Sequence, residues 1–147
     1  MIGTFKIKTS NDWNFFIMEL SELIHQGLPA GTPVLVTGAT GFTGKVLVRK
    51  LVEAGAQVRA LAREKSSISA LDDLPVQWFR GQVYDADVVE QAVQGVDYIF
   101  NVAAAFREPG IEDEEYRRVH VVSTQLLAAA ALKQPGFKRF VHTSTVG

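Results

Sequence analysis

Hydrophobic positions along this chain fall into two alternating patterns. From Pro33 onward, short apolar runs bounded by turn residues are followed by stretches in which apolar residues recur at helical spacing. The first pattern reads as buried strand and the second as amphipathic helix. Strands are predicted at Val34–Thr37, Gln57–Ala62, Val76–Arg80, Tyr98–Ala103 and Arg139–Ser144. Between them the spacing predicts helices over Thr43–Ala54, Ser67–Leu74 and Ala86–Gln94, and a long one over Glu112–Lys133. Gly55, Pro75 and Gly95 serve as stops. Strands alternating with helices imply right-handed crossovers and an α/β fold, a doubly wound parallel sheet covered on both faces. The expected strand order is 3-2-1-4-5, with a ligand at the carboxyl ends where the order reverses.

Residues 1–32 stand apart as an extension preceding the domain at 33–147. Thr4 to Lys8 alternates weakly, and Ser10 is placed to cap a helix over Asp12 to His25. Trp13, Phe16, Ile17, Leu20, Leu23 and Ile24 share one face of that helix, and Gly27 and Pro29 close it. Its polar face carries Asp12, Glu19 and Glu22 and no Lys or Arg, the wrong sign for an anionic membrane surface. The pattern favours a helix docked on the domain or on a partner.

The densest signal is the stretch from 33 to 44, P-V-L-V-T-G-A-T-G-F-T-G. A buried strand stops at Thr37, a glycine turn follows, and a helix starts near Thr43. Gly38 allows the turn, Gly41 lets the main chain approach a pyrophosphate, and Gly44 lets the helix pack closely. Thr40, Phe42 and Thr43 lie between them and line the same turn. The helix start offers unpaired N–H groups and the positive end of its dipole to phosphates.

Composition narrows the partners. The 147 residues suffice for one domain with a sizeable core, and 47% apolar with 21% charged residues is ordinary for a globular protein. A net charge of −1 gives no footprint for nucleic acid or an anionic membrane. Without cysteine, disulfides and thiolate metal sites are excluded, which fits a cytoplasmic protein. His25, His120 and His142 show no ligand spacing, so no metal is expected. No apolar run is long enough to span a membrane, and no secretory leader pattern opens the chain.

V-T-G-A-T-G-F-T-G resembles the N-terminal signature of the extended short-chain dehydrogenase/reductases, the NAD-dependent epimerase/dehydratase family, and the likeness runs from residue 33 to the last. It implies a Rossmann-like fold and a nicotinamide dinucleotide as partner. The family's acidic position at the end of strand two falls on Ala62, followed by Arg63, whose planar fork suits a phosphate. The expected cofactor is therefore NADP, with NAD the alternative. After strand three, Gly81-Gln82-Val83 departs from the family's G-D-L or G-D-V, and Gln82 offers an amide to adenine. Strand four, I-F-N-V-A-A-A, is similar to V-F-H-x-A-A, so Val102, Ala103 and Ala104 would pass beneath the cofactor. Asn101 stands where histidine is frequent.

On the long helix, Y-R-R-V-H-V-V-S-T-Q-L-L resembles Y-x-x-V-N-V-x-G-T-x-N-L-L. His120 replaces the asparagine and either takes over its positioning role or is a structural histidine facing the core; the second is favoured. R-F-V-H-T-S-T resembles R-F-V-x-T-S-S, which sets Thr143 beside the nicotinamide ribose. It makes Thr145 the catalytic hydroxyl, with Ser144 the second assignment.

The family also needs a tyrosine followed four residues later by a lysine, whose ammonium lowers the phenol's pKa. Here Tyr84, Tyr98 and Tyr116 are followed by Val88, Val102 and His120. The acid/base pair, the later strands and the substrate subdomain are thus expected outside this sequence. Three readings follow. They are the cofactor-binding part of an epimerase, dehydratase or ketone reductase, inactive alone; a non-catalytic dinucleotide-binding or sensing module; and an interaction protein using the N-terminal helix. The first is favoured. The substrate of the whole protein would be a nucleotide sugar or a sterol-like or flavonoid-like ketone. An unpaired outer edge of strand five predicts self-association into a homo-oligomer.

Overall fold

In the computed structural model, residues 27–105, 110 and 112–143 are described. The expected segments Thr4–Lys8 and Asp12–His25, and the hydroxyls of Ser144 and Thr145, lie outside them. The short apolar runs become β1 (Pro33–Thr37), β2 (Gln57–Ala62), β3 (Gln77–Arg80), β4 (Tyr98–Asn101) and β5 (Arg139–His142). They form one sheet in the order β3-β2-β1-β4-β5, with every neighbouring pair parallel. The helices are α1 (Phe42–Glu53), α2 (Ala86–Val93), α3 (Asp113–Arg117) and α4 (Ser123–Leu132).

The central strand shows why the sheet is covered twice. Val34, Leu35 and Val36 are all fully buried although successive side chains point to opposite faces. Val34 and Val36 join Val58, Ala60 and Phe100 under Leu47, Val48 and Leu51 of α1. Leu35 joins Leu61 and Ile99 under Val89 and Val93 of α2 and Leu127 and Ala131 of α4. In α1 the buried positions Gly44, Leu47, Val48 and Leu51 trace one helical stripe. Leu28 packs against the α1-side core, and Gly31 N–H donates to the Gly55 carbonyl. Part of the expected extension is thereby fastened to the domain.

Several boundaries shift by one or two residues from expectation, strand five ending at His142 rather than Ser144, and three departures have a visible local reason. Strand four stops at Asn101 rather than Ala103 because the N–H groups of Val102 and Ala103 turn to the Thr37 hydroxyl, each at 3.2 Å. The helix expected at Ser67–Leu74 contracts to one 3₁₀ turn, Ser69–Leu71. There the Ser67 hydroxyl bonds the Ser69 hydroxyl and main-chain N–H, which competes with a regular helix. The long helix is divided: α3 and α4 are joined by a π-type turn over Arg118–Val122. At this junction Ser123 and Thr124 donate their hydroxyls to the carbonyls of Val119 and His120. Such back-bonding widens or bends a helix.

Candidate functional site

The carboxyl ends of β1 and β4 are neighbours, and the connections leaving them run to opposite faces of the sheet. A cleft at this reversal is where open α/β sheets take their ligands. Its floor is the turn from β1 into α1, closed by a hydrogen bond from Gly41 N–H to the Gly38 carbonyl at 3.0 Å. Gly38 has φ +67, and a Cβ there would lie 2.7 Å from the Ala103 nitrogen. A Cβ on Gly44 would stand 2.0 Å from the Gly38 carbonyl oxygen, inside main-chain contact distance. Gly44 thus serves packing against the turn itself, closer to hand than the sheet.

Gly41 is different. Its φ of −74 is open to any residue, and a Cβ would meet only the Gly38 oxygen, at 3.3 Å. It is the N-cap of α1, no side chain caps the helix, and the first turn carries no acid. The positive end of this helix therefore faces the cleft with no anion of its own. Phe42, 79% exposed, flanks the bare turn, and Thr40 and Thr43 are half-buried beside it.

At the exit of β2, Arg63 is exposed. Its carbonyl and that of Ser66 accept from the Arg80 guanidinium at 3.2 and 2.9 Å, which folds the loop back on the end of β3. At the exit of β3, Gln82 is exposed, whereas the Val83 side chain is 7% exposed and belongs to the α2-side core. The Val83 side chain is therefore not offered to a ligand. Ala103 and Val102 are half-buried and Ala104 is exposed at the exit of β4. Thr143 is exposed and its N–H donates to the Asn101 carbonyl at 3.1 Å.

His120 does not face the core. It is exposed on the π-type turn, with Nε2 3.2 Å from both the nitrogen and the oxygen of Ala105. The expected structural role for a core-facing ring is therefore replaced by a hold on the loop after β4.

Comparison with known proteins decides the family. The family model described as NAD dependent epimerase/dehydratase family matches residues 34–147. The chain belongs to that family. The family comprises NAD-dependent epimerases, dehydratases and reductases, and its members bind a nicotinamide dinucleotide. Sterol demethylase protein B of Methylococcus capsulatus is 39% identical over 113 residues, covering 77% of this chain and 34% of that protein. A 3 beta-hydroxysteroid dehydrogenase/Delta 5-->4-isomerase of Mycobacterium tuberculosis is 40% identical over 118 residues, covering 76% and 31%. Among solved structures, a mutant of uronate dehydrogenase from Agrobacterium tumefaciens, complexed with NAD, superposes with a TM-score of 0.63. It shares 25% identity, with coverage of 79% of this chain and 42% of that one. The chain spans about a third of the length of the curated relatives it matches.

Within this member of the family, three features escaped the sequence reading. Thr37 and Asn101 are buried polar residues bonded to each other at 2.7 Å across 64 positions of sequence. Arg80 shapes the loop that carries Arg63. Tyr84 donates its phenol to the Glu115 carboxylate, at 3.1 Å to Oε1. Burial first, and that carboxylate second, push the Tyr84 phenol above the ordinary tyrosine value. That is opposite to what proton exchange near neutrality needs. Nothing in the sequence around Tyr84 marks a partner 31 residues away on another helix.

Proposed function

We propose that this chain is the cofactor-binding part of an NADP(H)-dependent ketone reductase, dehydrogenase or epimerase, and that alone it binds the dinucleotide without turnover. Gly41 carries the reading. Of the three glycines in the turn, it is the one whose missing side chain the chain's own packing requires least, since an added Cβ would crowd only the Gly38 oxygen and by a few tenths of an ångström. Its bareness is explained by a pyrophosphate lying on the helix start, where main-chain N–H groups and the dipole favour negative charge. Thr40, Phe42 and Thr43 border that cradle, and Gly38 and Gly44 shape it. Gln82 and the Val83 main chain would face adenine. Val102, Ala103, Ala104 and Thr143 would pass beside the nicotinamide half, with His120 holding the loop above.

Arg63 supports NADP over NAD, because the preceding Ala62 offers no carboxylate to ribose hydroxyls and the arginine fork matches a phosphate. When bound, the dinucleotide supplies or accepts a hydride at a carbon bearing a hydroxyl or carbonyl. Ser144 or Thr145 would bind the substrate oxygen. No tyrosine here precedes a lysine by four positions, and the Tyr84 phenol is pushed the wrong way. This is why the reading assigns no turnover to the chain itself. Relatives named for sterol and hydroxysteroid chemistry, and a dihydroflavonol 4-reductase of Hordeum vulgare that is 35% identical over 124 residues, favour a sterol-like or flavonoid-like ketone as the whole protein's substrate. β5 pairs only with β4 among the described residues, so self-association through its outer edge belongs to the same reading.

Titration calorimetry of the 147-residue chain tests it. NADPH should bind more tightly than NADH, and Gly41→Val should remove both signals while the circular dichroism spectrum stays native. Arg63→Ala should weaken NADPH about tenfold and leave NADH unchanged. No heat with either dinucleotide on folded protein would overturn the reading, and ketone reduction by the chain alone would overturn its inactivity.

A further inference from the structure

Thr37, Asn101 and His142 sit side by side at the last paired position of three adjacent strands. The register sets Thr37 opposite Asn101 and Asn101 opposite His142. Asn101 is buried and both ends of its amide are engaged. Oδ1 accepts the Thr37 hydroxyl at 2.7 Å, while Nδ2 lies 3.1 Å from Thr124 Oγ1 and 3.2 Å from His142 Nδ1.

The directions of these bonds are forced. Thr124 gives its own proton to the His120 carbonyl at 2.8 Å, so toward Asn101 it can only accept. Thr37 accepts the N–H groups of Val102 and Ala103 and spends its proton on Oδ1. The amide nitrogen must therefore point at Thr124 and His142. Nδ1 of His142 is then an acceptor, and the neutral ring carries its proton on Nε2.

We propose that Asn101 and His142 are a positioning pair that clamps the exit of β5 onto β4. The clamp sets where Thr143 lies relative to the glycine turn. β5 has four residues and one partner strand among those described, so its exit has few other holds. Asn101 grips it twice, through the main-chain bond to Thr143 N–H at 3.1 Å and through the ring of His142. The same amide touches Thr37, the residue that enters the turn. One side chain thus ties together the two ends of the cleft. The consequence for ligand binding rests on the function proposed above.

The test uses the full chain labelled with nitrogen-15, at about pH 8, where an ordinary histidine is neutral. The His142 ring should show a protonated Nε2 and a bare Nδ1. Asn101→Asp replaces the donor by an acceptor and should move the proton to Nδ1. His142→Phe leaves the amide without its acceptor. Thr143 N–H exchange should then quicken about tenfold, and NADPH affinity should fall about fivefold. His142→Asn keeps an acceptor oxygen and should restore both. An unchanged ring pattern in Asn101→Asp, or unchanged exchange in His142→Phe, overturns the pair. If NADPH binds but His142→Phe leaves affinity and exchange as they were, the clamp fails and the proposed function stands. If NADPH does not bind but the ring and exchange respond as stated, the clamp stands and the proposed function fails.

Discussion

Two strand-to-helix junctions in this protein solve the same problem in opposite ways. At the start of α2, Asp85 is the N-cap and its carboxylate accepts from the N–H groups of Asp87 and Val88 at 3.1 and 3.4 Å. Asp87 adds a second negative charge to the first turn. At the start of α1 the N-cap is Gly41, with no capping side chain and no acid. A side-chain cap is worth about 1 kcal/mol to a helix, and the protein takes it at one junction and forgoes it at the other. The forgone cap lies at the reversal point of the sheet. A helix start left bare in that position is suited to an anion from outside the chain.

The contrast can be broken most severely at Gly44. Gly44→Val would drive a side chain into the Gly38 carbonyl and should cost about 4 kcal/mol or more, read as a large drop in the urea midpoint. Next comes Gly41→Asp, which gives α1 the cap that α2 has. Stability should stay within about 0.5 kcal/mol of the original, since glycine is itself a tolerable cap. NADPH affinity should fall about a hundredfold or more, because a carboxylate would occupy the place of the phosphates. Equal affinity in calorimetry would remove the distinction between the junctions.

The reverse change, Asp85→Ala, should lower stability by about 1 kcal/mol in thermal unfolding and leave NADPH affinity within about twofold. The smallest effect belongs to Tyr84, just before that cap. Tyr84→Phe should cost about 0.5–1 kcal/mol at neutral pH. The folded-state pKa of this phenol is raised, so its contribution is complete below the unfolded value of about 10. It is lost as pH rises through the folded value, and the two proteins should converge in stability only in strong alkali.

Much of the scaffold was legible because it is written in local patterns. Gln57–Ala62 is bounded as expected, since Gly55 and the exposed Arg63 bracket a run that pairs on both sides. Strand order followed from the alternation of elements. The π-type turn was not legible: Arg118 to Val122 continue a helical pattern, and only the hydroxyls of Ser123 and Thr124 disturb it. In the site, the glycines announced themselves through spacing. Asn101 did not, because its partners are 64, 41 and 23 residues away and nothing in a strand pattern marks which polar residue will meet them. Arg63 was legible as a fork for phosphate, whereas nothing in the sequence ties Arg80, at the end of its strand, to the carbonyls of Arg63 and Ser66.

Among the described strands the central one is also the earliest in sequence. β2 and β3 precede Tyr98–Asn101 in the chain, so the partners for one flank of the central strand come before the partner for the other. Until that partner pairs, the second edge of Pro33–Thr37 presents unmatched amides and carbonyls to whatever is near. Among the described strands with two partners, the most sheltered one is thus the one that waits longest in sequence for its second partner.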